Sequence, residues 1–61
     1  MSVGDLVRFK EDCRYNPKLY PYQTMIGIVM RFEVYHPVVC FGYVTKTIAS
    51  QTLEVVEYGS G

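Results

Sequence analysis

Met25-Ile26-Gly27-Ile28-Val29-Met30-Arg31-Phe32-Glu33, residues 25–33, is the stretch from which the fold is read. Ile26, Ile28, Met30 and Phe32 fall on one side of a two-residue repeat, and Gly27, Val29 and Arg31 fall on the other. That period belongs to a β-strand, whose successive side chains point to opposite faces. Glycine inside a strand is unfavourable unless the backbone bends or another group comes close, so Gly27 marks a corner of a strongly curved sheet.

The next run, Val38 to Val44, predicts a third strand that is apolar on both faces. Val39, Phe41 and Tyr43 are expected to point inward, which leaves Val38, Cys40 and Gly42 as a flat outer strip. Small monomeric domains rarely leave a contiguous apolar strip wet. Its cover is expected to be a long loop of the same chain, a second copy, or another protein. Tyr35-His36-Pro37 reads as the turn between these two strands.

Working outward, Leu6-Val7-Arg8-Phe9 alternates as a first strand, opened by Gly4-Asp5, where Asp5 is expected to make a turn hydrogen bond. From Lys10 to Thr24 the alternation stops. Pro17 and Pro21 fix φ and remove ladder donors, so this segment reads as a long irregular loop. Loops of this length in compact domains are often functional. Thr47-Ile48-Ala49 is a short fourth strand, Ser50-Gln51-Thr52 a turn of 3₁₀ helix, and Leu53 to Tyr58 the closing strand. Residues 59–61, Gly-Ser-Gly, read as a flexible tail, giving one domain over residues 1–58. The expected core is Val7, Phe9, Ile28, Val39, Phe41, Ile48, Leu53 and Val55. No segment carries the apolar spacing of an amphipathic helix.

The chain has 61 residues, of which 49% are apolar. A chain this short buries only roughly 60% of the surface it exposes when unfolded, so its stability margin is thin. Six basic and six acidic side chains cancel. That balance speaks against nucleic-acid binding, which usually shows as a clustered basic excess. No apolar run approaches a membrane span and nothing resembles a signal peptide, so the expected location is the cytoplasm or a virion assembled there.

Candidate chemistry is sparse. Cys13, Cys40 and the single histidine, His36, are too few for a four-ligand zinc site. A disulfide is open on count, but two reduced thiols are expected without an export signal. His36 sits in a turn with no nucleophile or orienting carboxylate beside it in sequence. The carboxylates show no metal-binding or acid–base spacing, and no glycine-rich phosphate loop is present. The expectation is therefore a protein that is not an enzyme, with no cofactor and no metal.

The tyrosines are more informative. Tyr15, Tyr20 and Tyr22 share the long loop with Pro17 and Pro21. Tyrosine joins a large apolar ring to a polar tip and has few torsions to freeze, which suits recognition surfaces. Alternatively, these rings fold back and cap one end of the domain. Arg8, Lys10, Arg14 and Lys18 near the same tyrosines are elements of single-strand nucleic-acid binding, interleaved with Asp5, Glu11 and Asp12.

The order of these features resembles SH3-like barrels: an opening Gly4-Asp5-Leu6-Val7-Arg8, a long first loop of the RT type, Gly27-Ile28-Val29, a polar 3₁₀ turn and a terminal Leu53-Glu54-Val55-Val56. Val3 to Val7, Gly27 to Val29 and Leu53 to Val56 are similar to segments of very small proteins encoded by tailed bacteriophages, marine ones especially. Some of those are virion components. Tyr35-His36-Pro37-Val38-Val39 is similar to the turn of ferredoxin-docking barrels such as the peripheral E subunit of photosystem I. The resemblance implies an all-β, five-stranded SH3-like barrel. It implies a non-catalytic protein–protein interaction module, structural or accessory in a phage, that meets a protein partner or forms a homo-oligomer. A docking subunit for an electron carrier and a weak single-stranded nucleic-acid binder are the alternatives. Tyr15, Tyr20, Tyr22, Val38, Cys40 and Tyr43 are the candidate contact residues.

Overall fold

Gly27 opens the strand that organises the sheet. A Cβ at this position would stand 2.5 Å from Val39 Cγ1 and 2.8 and 2.9 Å from the Phe41 ring. The side chains of Val39 and Phe41 therefore lie directly over bare backbone, the close approach that a lone glycine in a strand predicts. The computed structural model describes residues 1–56. The expected continuation of the last strand through Tyr58 and the tail 59–61 lie outside the described residues.

The strands are β1 (Leu6–Phe9), β2 (Gly27–Glu33), β3 (His36–Cys40), β4 (Thr45–Thr47) and β5 (Leu53–Val55). Valine, isoleucine and phenylalanine recur along β1 to β3, and such side chains pack well on a pleated surface. All pairings are antiparallel, and the five strands form one sheet in the order β4-β3-β2-β1-β5. The molecule is all-β. Its sheet is open among the described residues: β4 and β5 are its two edges and do not pair with each other.

The core lies on one face. Val7, Phe9, Val29, Val39, Phe41 and Leu53 form its buried cluster, with Tyr22, Val44 and Ile48 packed against it. Register accounts for this set. Val7 faces Gly27 on one side and Val55 on the other, Phe9 faces Leu53, and Val29 faces Val39. Directly paired residues share a face, so the parity of β1 fixes that of every other strand. The expected core is corrected at two positions. Ile28 is 38% exposed because the inward parity of β2 belongs to Gly27 and Val29. Val55 is on the inner face but stands on an edge strand of an open sheet, and it remains 43% exposed.

Several boundaries differ from expectation for local reasons. The β2–β3 reversal is Val34-Tyr35, closed by Glu33 paired with His36, so His36 and Pro37 belong to β3 rather than to the turn. Pairing in β3 ends at Cys40. The Phe41 N–H then donates to Val44 O (2.8 Å), and Gly42 takes φ +97°. This left-handed residue reverses the chain and sends Tyr43 outward, 61% exposed, instead of inward with Phe41. β4 begins earlier than expected, at Thr45. Ile48 then donates to Pro37 O (3.0 Å), and Ser50–Thr52 forms the expected 3₁₀ turn.

Val38 was expected on an outer strip but is only 2% exposed. A bulge between Val29 and Arg31 sets an extra residue, Met30, into β2, so Met30 and Arg31 together face Val38. Thr47 flanks Val38 on the other side. In register, Val38 thus stands between the bulge of β2 and Thr47 of β4. Asp5 makes its expected turn contact, with Oδ2 accepting from the Ser2 N–H (2.7 Å).

Candidate functional site

The loop between β1 and β2 is ordered by local backbone contacts rather than by length alone. Glu11–Cys13 and Pro21–Thr24 are single turns of 3₁₀ helix, a correction to the irregular loop expected over Lys10–Thr24. Pro21 stands at the start of its turn, where a missing N–H costs nothing and a fixed φ helps. Asn16 takes φ +49°, a region that asparagine tolerates, and its carbonyl accepts from the N–H groups of Leu19 and Tyr20 (3.0 Å each). Arg14 Nη2 reaches the Phe9 carbonyl at 3.5 Å.

Gln23 ties the two halves of the loop together. It is the buried polar residue of the described chain, and its Oε1 accepts from the Tyr15 N–H. Truncating Gln23 to alanine leaves that N–H without its partner and opens a small void. A loss of about 1–2 kcal/mol is expected, with faster hydrogen exchange confined to residues 14–24. Exchange unchanged at Tyr15 would refute this clasp.

The tyrosines form a graded row. Tyr22 sits on the core, its ring centroid 5.9 Å from Phe9 and 5.3 Å from Phe41. Tyr20 stands 6.2 Å from Tyr22, and Tyr15 stands 6.4 Å from Tyr20. Such separations lie in the favourable range for aromatic pairs. Exposure rises along the row, from the half-buried Tyr22 and Tyr20 to Tyr15 at 73%. One end of the row therefore caps the core and the other stands in solvent. Lys46 Nζ lies 5.7 Å over the Tyr22 ring, a cation–π placement. Register puts Lys46 opposite Val39, which explains how a β4 residue reaches this face.

The other predicted residues do not join this row. Val38 is enclosed, and Tyr43 is on the β3–β4 turn. Cys40 is half-buried on the opposite face, in a cross-strand row with Leu6, Ile28 and Thr45. The long loop packs through Tyr22 on the inner face, so it covers the side of the sheet opposite Cys40. Both cysteines are free. His36 is exposed beside the β2–β3 turn, and Glu33, its cross-strand neighbour, is bonded to Arg31 Nη2 (2.9 Å). Arg8 is bonded to Glu54 (2.7 Å), an exposed pair across β1 and β5. Sequence reasoning missed Gln23 and Lys46, because neither carries a local signal; their roles arise from contacts eight residues away along the loop and across the sheet.

Among the described residues, no group of three or more histidine, cysteine or acidic side chains is placed to hold a metal ion. No described helix is long and apolar enough to cross a membrane. Fold and site together define a small antiparallel β-domain whose long first loop presents a tyrosine row. Compared with known protein families, with curated proteins and with solved structures, the chain finds no match.

Proposed function

We propose that this protein is a non-catalytic protein-interaction module of the SH3-like class, and that its contact surface is the row Tyr15–Tyr20–Tyr22. The observation that carries the reading is the gradient of exposure along a row of adjoining rings. Tyr22 is anchored on Phe9 and Phe41, so the row is held rigid from below, and Tyr15 stays 73% exposed at its far end. A pre-ordered aromatic surface binds with little loss of side-chain entropy. The strand order, with the last strand beside the first, supports the SH3-like reading, as do the long first loop and the 3₁₀ turn before β5. Aromatic surfaces on such loops dock extended proline-bearing peptides. The sequence resemblance to small proteins of tailed bacteriophages supports a structural or accessory role in a virion.

The test is selection from a displayed library of random peptides against the immobilised domain. Proline-containing peptides that bind are expected, and the double variant Tyr15→Ala/Tyr20→Ala should bind them roughly tenfold or more weakly. Failure to select any peptide, or equal binding by the double variant, would sink the assignment of the surface.

A further inference from the structure

The chain's charges cancel in total but are sorted by place. Among the described residues the ion pairs are Arg8–Glu54 and Arg31–Glu33, at 2.7 and 2.9 Å. The remaining lysines and arginines, Lys10, Arg14, Lys18 and Lys46, have no carboxylate partner among the described residues. Three of them lie in the loop that carries the tyrosine row, and Lys46 stands 5.7 Å over the Tyr22 ring. The same loop holds two carboxylates, Glu11 and Asp12, which pair with none of the four. The surroundings of the row therefore carry two positive charges in excess, although the whole chain carries none.

Contacts place two of these cations. Lys46 is exposed on β4 opposite Val39, so it leans over the ring that caps the core. Arg14 directly precedes Tyr15, and its Nη2 reaches the Phe9 carbonyl at 3.5 Å. That contact uses one of the five guanidinium N–H groups and leaves the others for a ligand. Phe9 is also a ring neighbour of Tyr22, so Arg14 and Lys46 approach the row from the loop and from the sheet.

We propose that the ligand of the tyrosine row is an acidic, proline-bearing peptide segment of another protein, with carboxylates that meet Lys46 and Arg14. This assignment rests on the row being the contact surface, and it adds the charge of what binds there. Prolines pack against the rings, and charge-assisted hydrogen bonds to the two cations set the direction of the peptide. Nucleic acid fits less well. Neighbouring rings of the row are inclined by 33° and 68°, so they present no common plane on which successive bases could stack. Lys46 also occupies one face of Tyr22. A second copy of the chain is the poorer occupant too. Three of its five described acids, Asp5, Glu33 and Glu54, are bonded within their own chain, and Glu11 and Asp12 share a loop with three cations. Its Pro37 is fully buried, and Pro17 and Pro21 belong to the row's own loop.

Peptides selected from a random displayed library are the probe. Those whose binding is lost in Tyr15→Ala/Tyr20→Ala should be richer in aspartate and glutamate beside proline than the unselected library. A synthetic copy of the best binder with amides in place of its acids should bind about tenfold more weakly. Added salt should weaken the acidic copy more than the amide copy. Lys46→Glu should lose the acidic copy and gain one with lysines in place of the acids, an exchange that a damaged fold would not produce. Should Lys46→Glu lose its cooperative melt, Arg14→Glu carries the same test. Charge reversal without the exchange would overturn the proposal. Selected peptides that need Tyr15 and Tyr20 but are neutral or basic would overturn the acidic ligand and leave the tyrosine row standing. No selected peptide at all would overturn both. An oligothymidylate that binds as tightly as the peptide and needs Tyr15 would make the ligand a nucleic acid and overturn it. Self-association seen by light scattering and abolished by Tyr15→Ala would make the occupant a second copy, with the same consequence.

Discussion

Replacing Phe41 by alanine is expected to leave most of the chain unfolded at ambient temperature. Phe41 is 2% exposed and belongs to the buried cluster of the core. Its ring lies 6.0 Å from Phe9 and 5.3 Å from Tyr22, and its edge covers the bare backbone of Gly27. Truncating a buried phenylalanine costs about 3–5 kcal/mol. A single core in a chain of this size rarely supplies more than that, so the loss equals the whole margin. The measurement is a urea or thermal melt followed by circular dichroism. Phe41→Leu, which keeps much of the volume, should retain a cooperative transition at a lower midpoint. An unchanged midpoint for Phe41→Ala would mean that the core is elsewhere. The same variant should release Tyr22, because Phe41 is the nearest of its three aromatic neighbours. Core and tyrosine row therefore stand or fall together.

Gly27→Ala should be destabilising by about 1–3 kcal/mol, the usual cost of overpacking a filled interior. The sign is the informative part. At an unconstrained site, glycine to alanine stabilises by about 0.4–1 kcal/mol through the unfolded chain. Here the added methyl would lie 2.5 Å from Val39 Cγ1, and Val39 is fully buried with no room to retreat. Gly27→Val should be worse. Combining Gly27→Ala with Val39→Ala removes the closest atom, so the double variant should be less destabilised than the sum of the singles, a coupling that a thermodynamic cycle measures. Additive effects would place the two residues apart and contradict the seating of the Val39 side chain over Gly27.

The interaction surface was partly legible. Tyr15, Tyr20 and Tyr22 announce themselves by type and by their proline neighbours, but no local pattern distinguishes a ring that caps the core from one that stands free. The answer is graded along the row, and it depends on Tyr22 finding Phe9 and Phe41, which lie on two other strands. The β2–β3 turn was not legible at all. Tyr35-His36-Pro37 has the composition of a turn. Pairing of Glu33 with His36 instead puts the reversal one residue earlier and forces Val34, a poor turn residue, into it.

What the sequence by itself determined was spacing and parity: the strand Leu6–Phe9 with Val7 and Phe9 inward, the inward Val39 and Phe41, the polar 3₁₀ turn at 50–52 and the close approach at Gly27. Alternation of period two is a local property of the chain and survives in any strand. Only the tertiary structure decided which parity of β2 faces the core. Both of its sets contain apolar residues, so hydrophobicity alone does not choose between Ile28 and Val29. The choice comes from register, since glycine is the residue that fits under Val39 and Phe41, and that seats Val29 inward and Ile28 outward. Likewise, one inserted residue at Met30 encloses Val38, and one left-handed glycine at position 42 turns Tyr43 to solvent. Each is a single backbone event that shifts everything after it, and pairing with a neighbouring strand fixes where it falls.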